Sequence, residues 1–166
     1  MKISLFSSVI LFSINSIVAS EFSKLFSQNK MDDLRLLIKK SSKIIFFITI
    51  PILILIIVFA ESILGFFGTD FVVSKKTLYI LMIGQFINIL CGSVGYILLM
   101  TDKQNIFKNI MILTTFLNII MNVILIPLYS INGAAIASSI SLILWNVISF
   151  GYIYRKYNIS TIWFIK

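Results

Sequence analysis

The chain has 166 residues, of which 59% are hydrophobic and 12% charged. An average soluble domain carries about 25% charged residues, so this composition cannot cover a water-exposed surface; it excludes a disordered chain and a soluble enzyme core. The net charge of +8 would suggest nucleic acid in a soluble domain, but in a membrane chain it reads as topology, and no nucleic-acid partner is expected.

Stretches 3–20, 44–60, 77–101 and 109–154 contain no Asp, Glu, Lys or Arg, and about 20 apolar residues span a bilayer. The first span is expected near 3–20. Met1-Lys2 and Val18-Ala19-Ser20 around that apolar stretch also fit a cleavable signal peptide. Cleavage would invert every later loop and place most of the basic residues on the translocated face, so a true first helix is the better reading.

Residues 21–43 form the expected amphipathic loop on the cytoplasmic side. Phe22, Leu25 and Phe26, then Leu34, Leu37 and Ile38, recur at helical spacing, with Gln28-Asn29-Lys30 between them and Asp32 and Asp33 opening the second piece. Two readings stay open: an interfacial helical hairpin whose basic face meets anionic headgroups, and a helix extension that only fixes topology, the plainer of the two. The second span, about 44–66, contains Pro51, which removes a backbone hydrogen bond. Glu61 and Asp70 lie at its outer end and in the loop after it, and read as solvated acids without a coupling role.

The third span, about 77–100, holds Gln85 and Asn88 on one face, and Gly84, Gly92 and Gly95 loosen it. Its Cys91 has no intrachain disulfide partner, and the absence of histidine excludes a His-based metal site or triad. The apolar run 109–154 is twice the length of one span. Pro127 and the turn signal Asn132-Gly133 divide it into helices of about 106–128 and 132–154 joined by a tight uncharged loop.

In this five-span arrangement Lys24, Lys30, Arg35, Lys39, Lys40, Lys43, Lys103, Lys108, Arg155, Lys156 and Lys166 share one side, against Lys2, Lys75 and Lys76 on the other. The positive-inside rule makes the first side cytoplasmic, with the carboxyl terminus inside and Met1 outside.

The intramembrane polar groups are amides: Gln85 and Asn88, Asn118 and Asn122, and Asn146. Amides in hydrocarbon need partners, so these faces point into protein or a wet cavity. They serve either as glue between helices or as the lining for a hydroxyl-rich headgroup, since Asn and Gln both donate and accept. Gly133, Ala137 and Ser141, spaced four apart, form a small-residue face for helix packing.

Leu125-Ile-Pro-Leu-Tyr-Ser-Ile-Asn-Gly-Ala-Ala-Ile-Ala-Ser-Ser139 resembles the L-I-P-x-Y-G-I-x-G-A-A-I-A-T/S signature of polysaccharide flippases. These form the O-antigen and capsule branch of the multidrug/oligosaccharidyl-lipid/polysaccharide exporter superfamily. Supporting segments follow the family order: Ser23-Lys-Leu-Phe-Ser-Gln-Asn-Lys30, Ile63-Leu-Gly-Phe-Phe-Gly-Thr-Asp-Phe71, and Gly84-Gln-Phe-Ile-Asn88 leading to Tyr96-Ile-Leu-Leu-Met-Thr101. One departure is Ser130, where the signature has glycine.

The resemblance implies an all-α polytopic membrane helical bundle, one lobe of a twelve- to fourteen-helix transporter, with these five helices standing as numbers eight to twelve. The implied activity is export of a lipid-linked oligosaccharide across the inner, cytoplasmic membrane by alternating access, with no enzymatic reaction and no cofactor. Gln85, Asn88, Asn118 and Asn122 are then expected at the central cavity. The amino-terminal lobe of the family is missing from these residues, so the chain reads as a fragment or split gene whose partners are the bilayer, the lipid-linked oligosaccharide, and that missing lobe or a partner chain. Two alternatives stay open: a multidrug or ion antiporter of the same superfamily, and a small structural membrane subunit. A membrane transferase fits poorly, because Glu61, Asp70 and Asp102 are scattered.

Overall fold

Apolar runs without charge leave the backbone no water to bond with, so helices that satisfy their own peptide groups are the expected outcome. A computed structural model describes residues 2–66 and 74–162, and every element within them is helical: α1 (Lys2–Ser27), α2 (Met31–Val58), α3 (Ala60–Gly65), α4 (Lys75–Cys91), α5 (Val94–Met100) and α6 (Gln104–Tyr157). By length and composition α2 and α6 are each able to cross a membrane, and α4 with α5, bent by 46° at their break, form a further candidate span. The chain is a multi-pass, all-α membrane bundle.

Segment 21–43, the expected amphipathic connection with apolar residues at helical spacing, is helical except for a three-residue break: α1 runs on to Ser27 and α2 begins at Met31. The cause is burial, since Phe22, Leu34 and Ile38 are completely enclosed and hold both extensions against the bundle. Asn29 takes φ 55°, the Asn29 N–H donates to the Phe26 carbonyl, and the Lys30 N–H reaches back to the Leu25 carbonyl, each at 3.0 Å. That is a Schellman closure with asparagine in the left-handed position. Asp102 (φ 57°) and Asn158 (φ 51°), just past the ends of α5 and α6, also take positive φ.

α2 runs antiparallel to α4. Ser42 lies against Gly92 and, at the far end, Lys75 Nζ donates to Glu61 Oε1 at 2.6 Å. A cluster that includes Ile45, Leu53, Ile56, Met82 and Ile89 fills the space between them. A second cluster, with Phe22, Leu34, Ile38, Val94, Leu98 and Ile153, joins α1, α2, α5 and the end of α6.

α6 is not one straight rod. Phe107 and Trp145 have ring centroids 6.0 Å apart, whereas 38 residues of continuous helix would separate them by about 57 Å. The chain reverses at Ser130, whose φ 51°, ψ −129° are non-helical, and Gly133 packs directly on the backbone of Leu125 and Ile126. Ser130 holds dihedrals close to those of Gly92 (φ 66°, ψ −130°), the region of a first central residue in a II′ turn that glycine favours. Replacing Ser130 by glycine relieves that strain and is expected to stabilise the chain by about 1 kcal/mol, read as a higher midpoint of thermal unfolding in mild detergent.

One end of the bundle gathers the basic segments. The Phe26 and Tyr157 rings meet edge to face at 5.9 Å, Arg35 Nη2 donates to the Tyr157 carbonyl at 3.2 Å, and the Tyr157 hydroxyl donates to the Thr101 carbonyl at 3.3 Å. These contacts bring the Lys/Arg-rich stretches around Lys24, Lys39, Lys103 and Arg155 to the same end.

Candidate functional site: a polar seam and a half-open helix

Polar contacts among the described residues tie α4 to the second half of α6, residues 131–157, and their order shows that the two run parallel. At one end Thr77 Oγ1 donates to Asn132 Oδ1 at 2.6 Å; in the middle Ser139 Oγ donates to the Ile80 carbonyl at 2.8 Å; further on Asn146 Nδ2 donates to Asn88 Oδ1 at 3.1 Å. Asn88 Nδ2 passes the chain of amides on to Gln85 Oε1 at 3.2 Å, and Asn146 Nδ2 also bonds the Leu142 carbonyl at 2.8 Å. Gln85, Asn88 and Asn146 are all buried.

The helices approach most closely where Gly84 faces Ser139, since a Cβ on Gly84 would lie 3.1 Å from Ser139 Cα. Small size on one side and a hydroxyl on the other permit both the contact and the bond to the Ile80 carbonyl. Further polar groups are buried without a hydrogen-bond partner within the described chain: both side-chain atoms of Asn15, the hydroxyls of Ser42, Thr49, Ser93 and Ser149, and Asn146 Oδ1. A polar seam thus runs through the interior of an otherwise apolar bundle.

The second amide pair lies elsewhere. Asn122 Nδ2 donates to both the carbonyl oxygen and Oδ1 of Asn118, each at 2.9 Å, and both residues are only half-buried. Around them Ile112, Phe116, Ile119 and Val123 are exposed. The four amides expected at one cavity therefore occupy two settings: Gln85 and Asn88 are enclosed between helices with Asn146, whereas Asn118 and Asn122 stand on a half-open face of 104–129.

Of the small-residue face, Gly133 and Ala137 are buried, while Ser141 is half-buried and turns its hydroxyl onto the Ala137 carbonyl of its own helix at 2.8 Å. The cross-helix hydroxyl is that of Ser139 instead. Sequence reasoning also missed Thr77 with Asn132; a polar residue at the matching end of each helix was the available signal. Glu61 is exposed, and the Lys75 ammonium bonded to it holds its carboxyl below the usual range. Asp70 lies outside the described residues.

Truncating Asn88 to alanine removes both of its side-chain bonds and leaves Gln85 and Asn146 short of a partner. The expected loss is about 1–2 kcal/mol, the upper range for interhelical hydrogen bonds in membranes. A double-mutant cycle with Asn146→Ala checks it: a coupling near zero would mean that the two amides do not hold the helices together.

The MatE family model matches residues 1–124. In Haloferax volcanii the protein named "Probable low-salt glycan biosynthesis flippase Agl15" is 28% identical over 127 residues, an alignment that covers 76% of this chain and 27% of that relative. The chain thus spans about a quarter of the length of the curated relative it matches. No solved structure matches. With three quarters of its length under the family model and an all-helical membrane bundle as its fold, the chain belongs to the MatE family, within the superfamily of multidrug and polysaccharide exporters.

Proposed function

We propose that the chain is a carrier lobe, not a catalyst, for moving a lipid-linked oligosaccharide across the cytoplasmic membrane, with its basic end and carboxyl terminus on the cytoplasmic side. The observation that carries this reading is the half-open Asn118–Asn122 face. Two amides that, among the described residues, bond only within their own turn, on a helix half with many exposed apolar side chains, retain donors and acceptors for hydroxyl-rich groups. The similarity to a protein named as a glycan biosynthesis flippase supports the substrate class.

In this reading Asn118 and Asn122 line the passage together with a second, amino-terminal lobe or partner chain. Gln85 and Asn88 brace α4 against α6 behind them. Alternating access needs two lobes that move against each other, so residues 1–166 expressed alone in a flippase-deficient strain are expected to restore no surface polysaccharide; restoration by this chain alone would refute the two-lobe reading. With Cys91 replaced by serine and the second lobe present, cysteines placed at 118 and 122 should react with water-soluble maleimides. If both stay inert, the passage does not run along this face.

A further inference from the structure

At the basic end of the bundle, a cleft of about 410 Å³ opens between the start of α2 and the end of α6. We infer that this cleft binds the phosphate of an anionic membrane lipid. One wall is a single stripe of α2, with Asp32, Arg35, Leu36 and Lys39 at successive turns; the other carries Tyr154, Asn158 and Ser160.

Arg35 is held in place from both sides. Its Nη1 donates to Asp32 Oδ1 at 3.0 Å and its Nη2 to the Tyr157 carbonyl at 3.2 Å. Two of the five guanidinium N–H groups are thereby used, and the group stands pre-oriented at the cleft. One turn further along, Lys39 is half-buried and has no hydrogen-bond or ion-pair partner among the described residues. The carboxylate of Asp32 is engaged by Arg35, so the cleft keeps a positive balance with Lys39 as its free cation.

Two features select a lipid over a soluble anion. Leu36 and Tyr154 are both exposed and give the cleft an apolar lip with an aromatic ring, the residue type that settles at headgroup level. The uncharged run of α2 starts at Ile44, which sets Lys39 about 7 Å outside the hydrocarbon edge, within the headgroup layer. The inference does not depend on which substrate is transported; transport and lipid binding are read out separately.

The test compares two variants with the same change of charge, Lys39→Gln inside the cleft and Lys40→Gln on the exposed face beside it. The full chain is purified in mild detergent and titrated with phosphatidylglycerol or phosphatidylcholine, with retained lipid counted by native mass spectrometry and the unfolding midpoint followed. Phosphatidylglycerol should be retained in preference to phosphatidylcholine by wild type and Lys40→Gln, and about five-fold more weakly by Lys39→Gln. The unfolding midpoint of Lys39→Gln in phosphatidylcholine should equal that of wild type, which separates lost binding from lost folding. Equal weakening in the two variants would reduce the effect to general surface charge and overturn the site. Equal retention of the two lipids would overturn it too. Inorganic phosphate that protects wild type as well as phosphatidylglycerol does would overturn the lipid assignment.

Discussion

Alanine at position 133 is expected to cost about 3 kcal/mol or more, at or above the upper end of the range for overpacking. The Cβ would meet the Leu125 carbonyl and the Ile126 nitrogen. Both are backbone atoms that cannot rotate away as a side chain would. Relief therefore requires the two halves of α6 to separate at the point where the chain turns back. Trp145 reports this directly, because its ring rests on Phe107 across the hairpin; in a Trp163→Phe background its near-ultraviolet circular dichroism should weaken together with the unfolding midpoint. Gly151, in the same helix, has nothing within 4 Å of its would-be Cβ, so Gly151→Ala should be neutral or gain up to about 1 kcal/mol of helix propensity. Equal effects at the two glycines would show that propensity, not the close approach, governs position 133.

Gly92→Ala is expected to lose about 3 kcal/mol through two separable causes. The backbone there, at φ 66° and ψ −130°, is a conformation that costs an L-residue about 1–3 kcal/mol. In addition, a Cβ would lie 2.6 Å from Ser42 Oγ, on the neighbouring helix α2. Removing that side chain in a Gly92→Ala/Ser42→Gly double variant should return the steric part and leave the conformational part. Full recovery would mean that the break between α4 and α5 tolerates ordinary residues. No recovery would place the whole cost in the backbone.

How far the sequence could be read depends on how local each cause is. Membrane residence and helical structure follow from the uncharged runs, and the break at Gln28-Asn29-Lys30 follows from residues that tolerate a left-handed turn. The amides were another matter. Gln85 with Asn88 and Asn118 with Asn122 carry the same signature, two amides on one helix face. What encloses the first pair is Asn146, 58 residues further along, and no local pattern reports so distant a partner. Gly84 and Gly92 both read as residues that loosen a helix. In the fold one is a contact point for Ser139 and the other a backbone position with a positive φ. Ser130 departs from the glycine of the flippase signature, and its consequence became visible only with the dihedral angles it must adopt. Within 21–43 the helical spacing was legible locally, whereas the burial of Phe22, Leu34 and Ile38 that holds both pieces against the bundle is a tertiary effect.

Among the described residues, the contacts around Tyr157 make the two ends of this bundle unequally tied. At the basic end, a ring contact to α1, a guanidinium from α2 and a hydroxyl bond to the end of α5 converge on a single residue of α6. At the opposite end, the described polar ties are the exposed Lys75–Glu61 pair and the Thr77–Asn132 bond. A sheaf of helices bound at one end flares at the other when loaded. Amide hydrogen exchange should accordingly be slowest near residues 26, 101 and 157 and quicken along each helix toward the far side, so that any change of shape in this lobe pivots about its basic end.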